Sequence, residues 1–297
     1  MKTKADLHIH SLFSSDGEWT TPAIMEACES AGVTVFSITD HNTVKGAAEL
    51  YDSPAEDLIF IPGIEIDCIY RDIDFHLLGY HINCHSTDFI TLENEINKKV
   101  ISSFSETIHK LHHLDLPVDA GEVLQKANGK LPTGELIAEV MLGNPDYDDI
   151  KALDPYRTGG SRSDMPYLNF YLDFCTQGKP AYVRIELMDF NTARDLIEDN
   201  GGIPVVAHPG LNFKGKEEWV EALLQKGARG IEVFNNYHDE RQMDFFAQIA
   251  KRENRFITCG SDFHGKIKPG INIGEYHGIS SYEPYLEESL QRLTYRK

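Results

Sequence analysis

Short apolar runs alternate with amphipathic stretches along most of this chain, and nearly every run carries a histidine or an acid at or near its end. VTVFSIT runs into Asp40-His41, LIFIPGIEI carries Glu65, and DFHLLGYHI holds His76. IPVVAHPG contains His208, and RFITCGSDFHG ends in Asp262 and His264. Short β-branched runs of this kind read as buried strands. Strands that alternate with helices indicate a parallel sheet or barrel. In such barrels the C-terminal strand ends form the rim where sites are built.

The first such run is ADLHIH, followed by SLFSSD. Side chains alternate across a strand, so His8 and His10 project from one face and can grip one ion. Asp16 follows a polar turn and can reach the same place. Thr20 or Thr21 as cap, Pro22 in the first turn and Gly32 at the end mark a helix between them. Helices are also expected over Lys45–Tyr51, Asn191–Asn200, Lys216–Lys226 and Asp239–Arg252, with strands at Pro180–Arg184 and GIEVFNN.

From Cys84 to Gly178 the rhythm changes. Asn94–Leu116 reads as one long helix, with shorter ones over Glu122–Ala127 and Glu135–Met141, then a Gly/Asp/Pro-rich loop. The expected organisation is an α/β domain over 1–83 and 179–297, with a small helical insertion over 84–178.

Nine residues stand out: His8, His10, Asp16, His41, Glu65, His76, His208, Asp262 and His264. Imidazole with carboxylate suits zinc, manganese or iron. Nine ligands exceed one coordination sphere and suit two or three ions that share a bridging carboxylate. The five cysteines are scattered, with no CxxC, and read as free thiols of a reducing compartment. No apolar run is long enough to span a membrane. The motif follows the N-terminus at once, and with no leader expected the chain reads as cytoplasmic. A net charge of −19 opposes long nucleic acid as a partner.

HxH near the start, TDH, GIE, a strand histidine, AHP and finally SDFH, in that order, resemble the PHP (polymerase and histidinol phosphatase) family of metal-dependent phosphoesterases. The insertion and the phrases GKPAYV and IEVFNNYH look most like its subgroup acting on nucleotides and small phosphoesters. The resemblance implies a distorted (β/α)7 TIM-like barrel with a trinuclear or binuclear site at its rim. It implies one ion on His8, His10, Glu65 and Asp262, a second on Glu65, His76 and His208, and a third on Asp16, His41 and His264. Glu65 would bridge the first two.

The implied activity is hydrolysis of a small phosphoester (a nucleotide, nucleotide bisphosphate or sugar phosphate) by attack of metal-bound hydroxide on phosphorus. Glu65 and Asp262 serve as ligands essential to catalysis, and His208 or His264 influences the leaving group. The alternatives are a cyclic phosphate phosphodiesterase, a 5′–3′ exonuclease on short oligonucleotides and a non-catalytic regulatory domain. An amidohydrolase ranks lower, because the bridging position is Glu65 and not lysine. Arg162 in GGSRSDMP resembles the phosphate-binding arginine of a Gly-Arg-Pro-His stretch, although Ser163 and Asp164 replace the Pro-His pair. Arg184 and His238 are further candidate substrate contacts, and the insertion is expected to fold over the rim and bring Arg162 to a substrate phosphate.

Overall fold

The computed structural model describes residues 3–52 and 58–295. Its strands are β1 (Ala5–Ile9), β2 (Val35–Ile38), β3 (Ile59–Phe60), β4 (Gly63–Tyr70), β5 (Ile73–Tyr80), β6 (Met188–Asp189), β7 (Ile203–Val206), β8 (Gly230–Phe234) and β9 (Phe256–Cys259). The helices are α1 (Thr21–Ala31), α2 (Lys45–Asp52), α3 (Thr87–His112), α4 (Ala120–Ala127), α5 (Gly134–Gly143), α6 (Pro166–Phe174), α7 (Phe190–Asp199), α8 (Pro209–Asn212), α9 (Trp219–Gln225), α10 (Glu240–Arg252) and α11 (Glu283–Thr294). None is long and apolar enough to cross a membrane among the described residues.

The strands form two sheets, one ordered β1-β2-β3 and one ordered β6-β4-β5-β7-β8-β9. Single bridges join them at Ile9–Phe263 and His41–Glu65. β1, β2, β7 and β9 are buried along almost their whole length, which is why they read as continuous apolar runs. One strand departs from the parallel pattern. β4 and β5 form an antiparallel hairpin, and β5 also runs antiparallel to β7. The turn between them holds Arg71 and Asp72 at φ 49° and 63°, a left-handed pair that reverses the chain tightly. Neither residue is glycine, so the turn carries no strong sequence mark. As a result Glu65 lies near the start of β4 and His76 in the middle of β5, not at C-terminal strand ends.

Local signals explain most helix boundaries. The Thr20 hydroxyl accepts from the Ala23 N–H at 3.3 Å, and Gly32 closes α1 at φ 70°. α10 begins with a capping box of Asp239 and Gln242. The long helix starts at Thr87, capped by Ser86, and ends at His112, so it lies several residues upstream of its expected span. Pro180–Arg184 is not a strand; the short β6 forms just after it. α6 begins with Pro166 inside the stretch expected as loop. The five cysteines are free thiols.

Apolar side chains gather in separate clusters. The largest lies among β4, β5, β7, β8 and the helices packed on them, with Phe75, Phe190, Phe213 and Phe246 fully buried. A second joins the C-terminal half of α3 to α4, α5 and α6 around Leu111, Ile137, Met141 and Phe170. Phe170→Ala is expected to lower stability by about 3–5 kcal/mol, through lost burial and the cavity left behind. Denaturant unfolding reads this, and a loss below about 1 kcal/mol would contradict the packing described.

Candidate metal centre

β1 delivers His8 and His10 to one place, and the loop after β9 crosses it there. The Asp262 N–H donates to the His8 carbonyl at 2.9 Å, and the His10 N–H donates to the Phe263 carbonyl at 3.0 Å. The approach is close: a Cβ on Gly260 would lie 2.2 Å from the His8 Cβ. Asp262 itself sits at φ 58°, a strained backbone of the kind that clusters at functional sites. β2 leads into His41, β4 supplies Glu65, β5 His76 and the end of β7 His208.

All nine side chains singled out in the sequence converge. Glu65 is fully buried, and its two carboxylate oxygens face opposite groups. Oε2 stands 3.0 Å from His8 Nε2 and 3.1 Å from His10 Nε2. Oε1 stands 3.0 Å from His76 Nδ1 and 3.1 Å from His208 Nε2. Asp262 Oδ1 lies 3.3 Å from both His8 and His10 Nε2. Asp16 Oδ2 lies 3.1 Å from His264 Nε2 and 3.6 Å from His41 Nε2. His10 and His41 each stand between two groups, since His10 also neighbours Asp16, His41 and His264, and His41 also neighbours Glu65 and His76.

The arrangement has the chemistry of a cation site. His8 and His10 point Nε2 at Nε2 across 3.1 Å, where neutral rings with inward lone pairs repel unless a proton or cation lies between them. His41 Nδ1, Asp67 Oδ1 and His264 Nε2 are buried without a hydrogen-bond partner. The far ring atoms fix the tautomers. His264 Nδ1 donates to the Asp262 carbonyl at 2.9 Å, His208 Nδ1 to Asn212 Oδ1 at 2.8 Å and His8 Nδ1 to Glu232 Oε1 at 3.0 Å. Each leaves an Nε2 lone pair directed inward, the pattern of ligating histidines held by an outer acceptor. The residues present therefore fit divalent transition metals.

Several supporting residues went unnoticed in the sequence. Glu232 is fully buried and holds both His8 and, at 2.7 Å, the backbone N–H of His208. Asp67 Oδ1 lies 3.4 Å from both His41 Nδ1 and His76 Nε2. Its signal was the spacing Glu65-x-Asp67, which places two acids on one strand face. Asp6 accepts from the Ser261 and Gly274 N–H groups, and burial pushes its carboxyl up to about 6. Lys268 is buried, with Nζ 2.5 Å from Asp262 Oδ2. Glu135 on α5 is also buried; desolvation first, then Asp16, pushes its carboxyl up to about 7.

The expected substrate contacts each have partners within the protein. Arg162 makes a bidentate pair with Asp173, both bonds at 3.0 Å, within the second apolar cluster's shell. Arg184 is exposed and pairs with Asp72 at 3.0 Å. His238 is buried; its Nε2 accepts from the Gly210 N–H and its Nδ1 donates to the Val233 carbonyl, so it braces the loop after His208.

Burial disfavours charge on His8, but Glu65, Glu232 and Asp262 outweigh it and hold the imidazole well above its ordinary range. His41 behaves likewise, through Glu65, Asp16 and Asp67. In chelator-stripped protein, protons thus stand where cations would bind. Metal uptake is expected to release them, and apparent affinity to rise with pH by up to about tenfold per unit for each proton displaced. Calorimetry in two buffers of different ionisation enthalpy counts the protons; uptake without release would contradict this account.

The PHP domain family matches residues 6–141. A 3′,5′-nucleoside bisphosphate phosphatase of Chromobacterium violaceum is 25% identical over 91% of this chain and 90% of its own. A 5′–3′ exoribonuclease of Haemophilus influenzae is 27% identical over 92% of this chain and 95% of its own. A solved structure from Bifidobacterium adolescentis, described as a metal-dependent phosphoesterase, shares the fold with a TM-score of 0.75 at 22% identity, over 98% and 97% of the two chains. The stretch that matches the PHP domain family contributes His8, His10, Asp16, His41, Glu65 and His76 to the buried centre.

Proposed function

We propose that this chain is a metal-dependent phosphoesterase that hydrolyses small phosphate esters on two or three divalent transition-metal ions. The observation that carries the reading is the division of Glu65, whose two oxygens face separate histidine pairs as a bridging carboxylate requires. His8, His10, Glu65 and Asp262 would hold one ion, Glu65, His76 and His208 a second, and Asp16, His41 and His264 a third. Manganese, iron and zinc all suit this donor set. When bound, such ions neutralise phosphate oxygens and lower the pKa of the attacking water.

The protein's own residues do the rest. Glu232 orients His8 and the backbone of His208, and Lys268 holds Asp262 Oδ2 so that Oδ1 faces inward. A cavity of about 490 Å³ adjoins the centre and is lined in part by residues of α3, α5 and α6. The two sheets are read as one distorted seven-strand barrel of β1, β2, β4, β5, β7, β8 and β9, with 84–178 as the insertion. The bridges at Ile9–Phe263 and His41–Glu65 support closure, and the second apolar cluster supports the insertion. The named relatives both break phosphorus–oxygen bonds, which supports the reaction class.

Glu65→Gln and Asp262→Asn are each expected to lower phosphate release by at least about 100-fold in manganese. Elemental analysis of the same samples separates lost metal from lost turnover. Near-normal rates in either variant with metal bound would remove the assignment.

A further inference from the structure

The cavity beside the metal centre is unevenly charged. Its floor holds Asp16, Glu65, Asp67 and Asp262. Away from these acids its lining mixes Phe104, Leu131 and Leu168 with the neutral polar Asn97, Ser103 and Gln177. Among the described residues that line it, Lys268 is the only lysine or arginine, and that ammonium is committed to Asp262 at 2.5 Å. Arg162 and Arg184 are held on Asp173 and Asp72, and neither lines the cavity.

The lining holds one natural place for an anion, the N-terminus of α5, where Thr133, Gly134 and Glu135 border the cavity. The protein's own carboxylate already occupies it. Glu135 is the second residue of that helix and accepts from its own N–H and from the Thr133 hydroxyl. It is 6% exposed, and no described lysine or arginine forms an ion pair with it. Asp74 adds a second acid on the same lining, bound to the Tyr182 hydroxyl at 2.5 Å. A second phosphate on the substrate would therefore enter a lining that offers it two further carboxyl groups and no uncommitted lysine or arginine.

We propose that the cavity takes a phosphomonoester whose alcohol portion is uncharged, apolar or hydroxyl-bearing, and that Glu135 excludes substrates with a second phosphate. The inference rests on the phosphoesterase reading and narrows it. It sets this chain apart from the bisphosphate phosphatase to which it is similar. Glu135 acts here as a specificity determinant.

The test is a matched pair on the manganese-loaded full chain: 4-(hydroxymethyl)benzyl phosphate, and the same diol carrying a phosphate at each end. The monophosphate is expected to be favoured at least about tenfold in kcat/KM, chiefly through KM. Calorimetric titration with the two corresponding phosphonates, which are not hydrolysed, is expected to give the same order of affinity. Glu135→Gln is expected to narrow the gap while leaving monophosphate turnover within about twofold, and Glu135→Arg to narrow it further. A wild-type preference for the bisphosphate overturns the inference, above all one lost in Arg184→Ala. An unchanged gap in a folded Glu135→Gln protein overturns the role given to Glu135. If neither ester is hydrolysed and neither phosphonate binds, the phosphoesterase reading falls and this one falls with it.

Discussion

Burying many ionisable groups around one carboxylate is the constraint on which the rest of this structure depends. Glu65 is shielded from water, and burial alone would keep it protonated; the imidazoles of His8, His76 and His41 hold its carboxyl well below the usual carboxylate range instead. Those imidazoles come from strands that are distant in sequence. A buried charge without partners costs several kcal/mol, so each strand must arrive in register for the others to be tolerable. The close crossing at Gly260 and the left-handed backbone of Asp262 are local strains at that junction. They persist because hydrogen bonds from Asp262 and His10 across β1 over-determine the geometry.

Around this centre lies a shell whose function is orientation. Glu232 sits on β8, behind both His8 and His208, and so couples three strands through two oxygen atoms. Asp6 performs a similar task below, binding the loop after β9 to β1 through the N–H groups of Ser261 and Gly274. Ser14 reaches His10 Nδ1 at 3.1 Å and Asp16 Oδ1 at 2.8 Å, so the polar turn after β1 is a spacer with two anchored contacts. Fixed outer partners of this kind commonly matter to metal affinity nearly as much as the ligands themselves.

The inward-facing residues were legible in the sequence because chemistry and periodicity coincide there. HxH on a strand, an acid or histidine after each apolar run, and a terminal SDFH need no tertiary knowledge to be noticed. The orientation shell was not legible, since Glu232 inside GIEVFNN looks like any alternating strand residue until its neighbours are known. The hairpin of β4 and β5 escaped because its turn uses Arg71 and Asp72, not the glycine or asparagine that ordinarily marks a left-handed pair. The partner of Arg162 was likewise not legible: an arginine in a Gly-rich loop near a proline resembles an anion grip, and only the fold shows that Asp173 in α6 takes both ends of its guanidinium. α6 was missed because its opening proline follows a loop-like composition.

The apolar cluster among α3, α4, α5 and α6 is distinct from the one beneath the sheets. The helices bearing Glu135 and Tyr171 thus draw their packing energy from contacts that do not pass through the strands carrying His8, Glu65 or His208. Substitutions in the two places, being far apart and sharing few partners, should behave nearly additively. For a lineage of such proteins this separates two evolutionary tasks. The wall that meets the alcohol can drift, exchange acids for bases and admit new molecules without endangering the machinery that handles phosphorus. Diversification by this route would leave the strand-end motifs recognisable long after the covering helices had lost all resemblance.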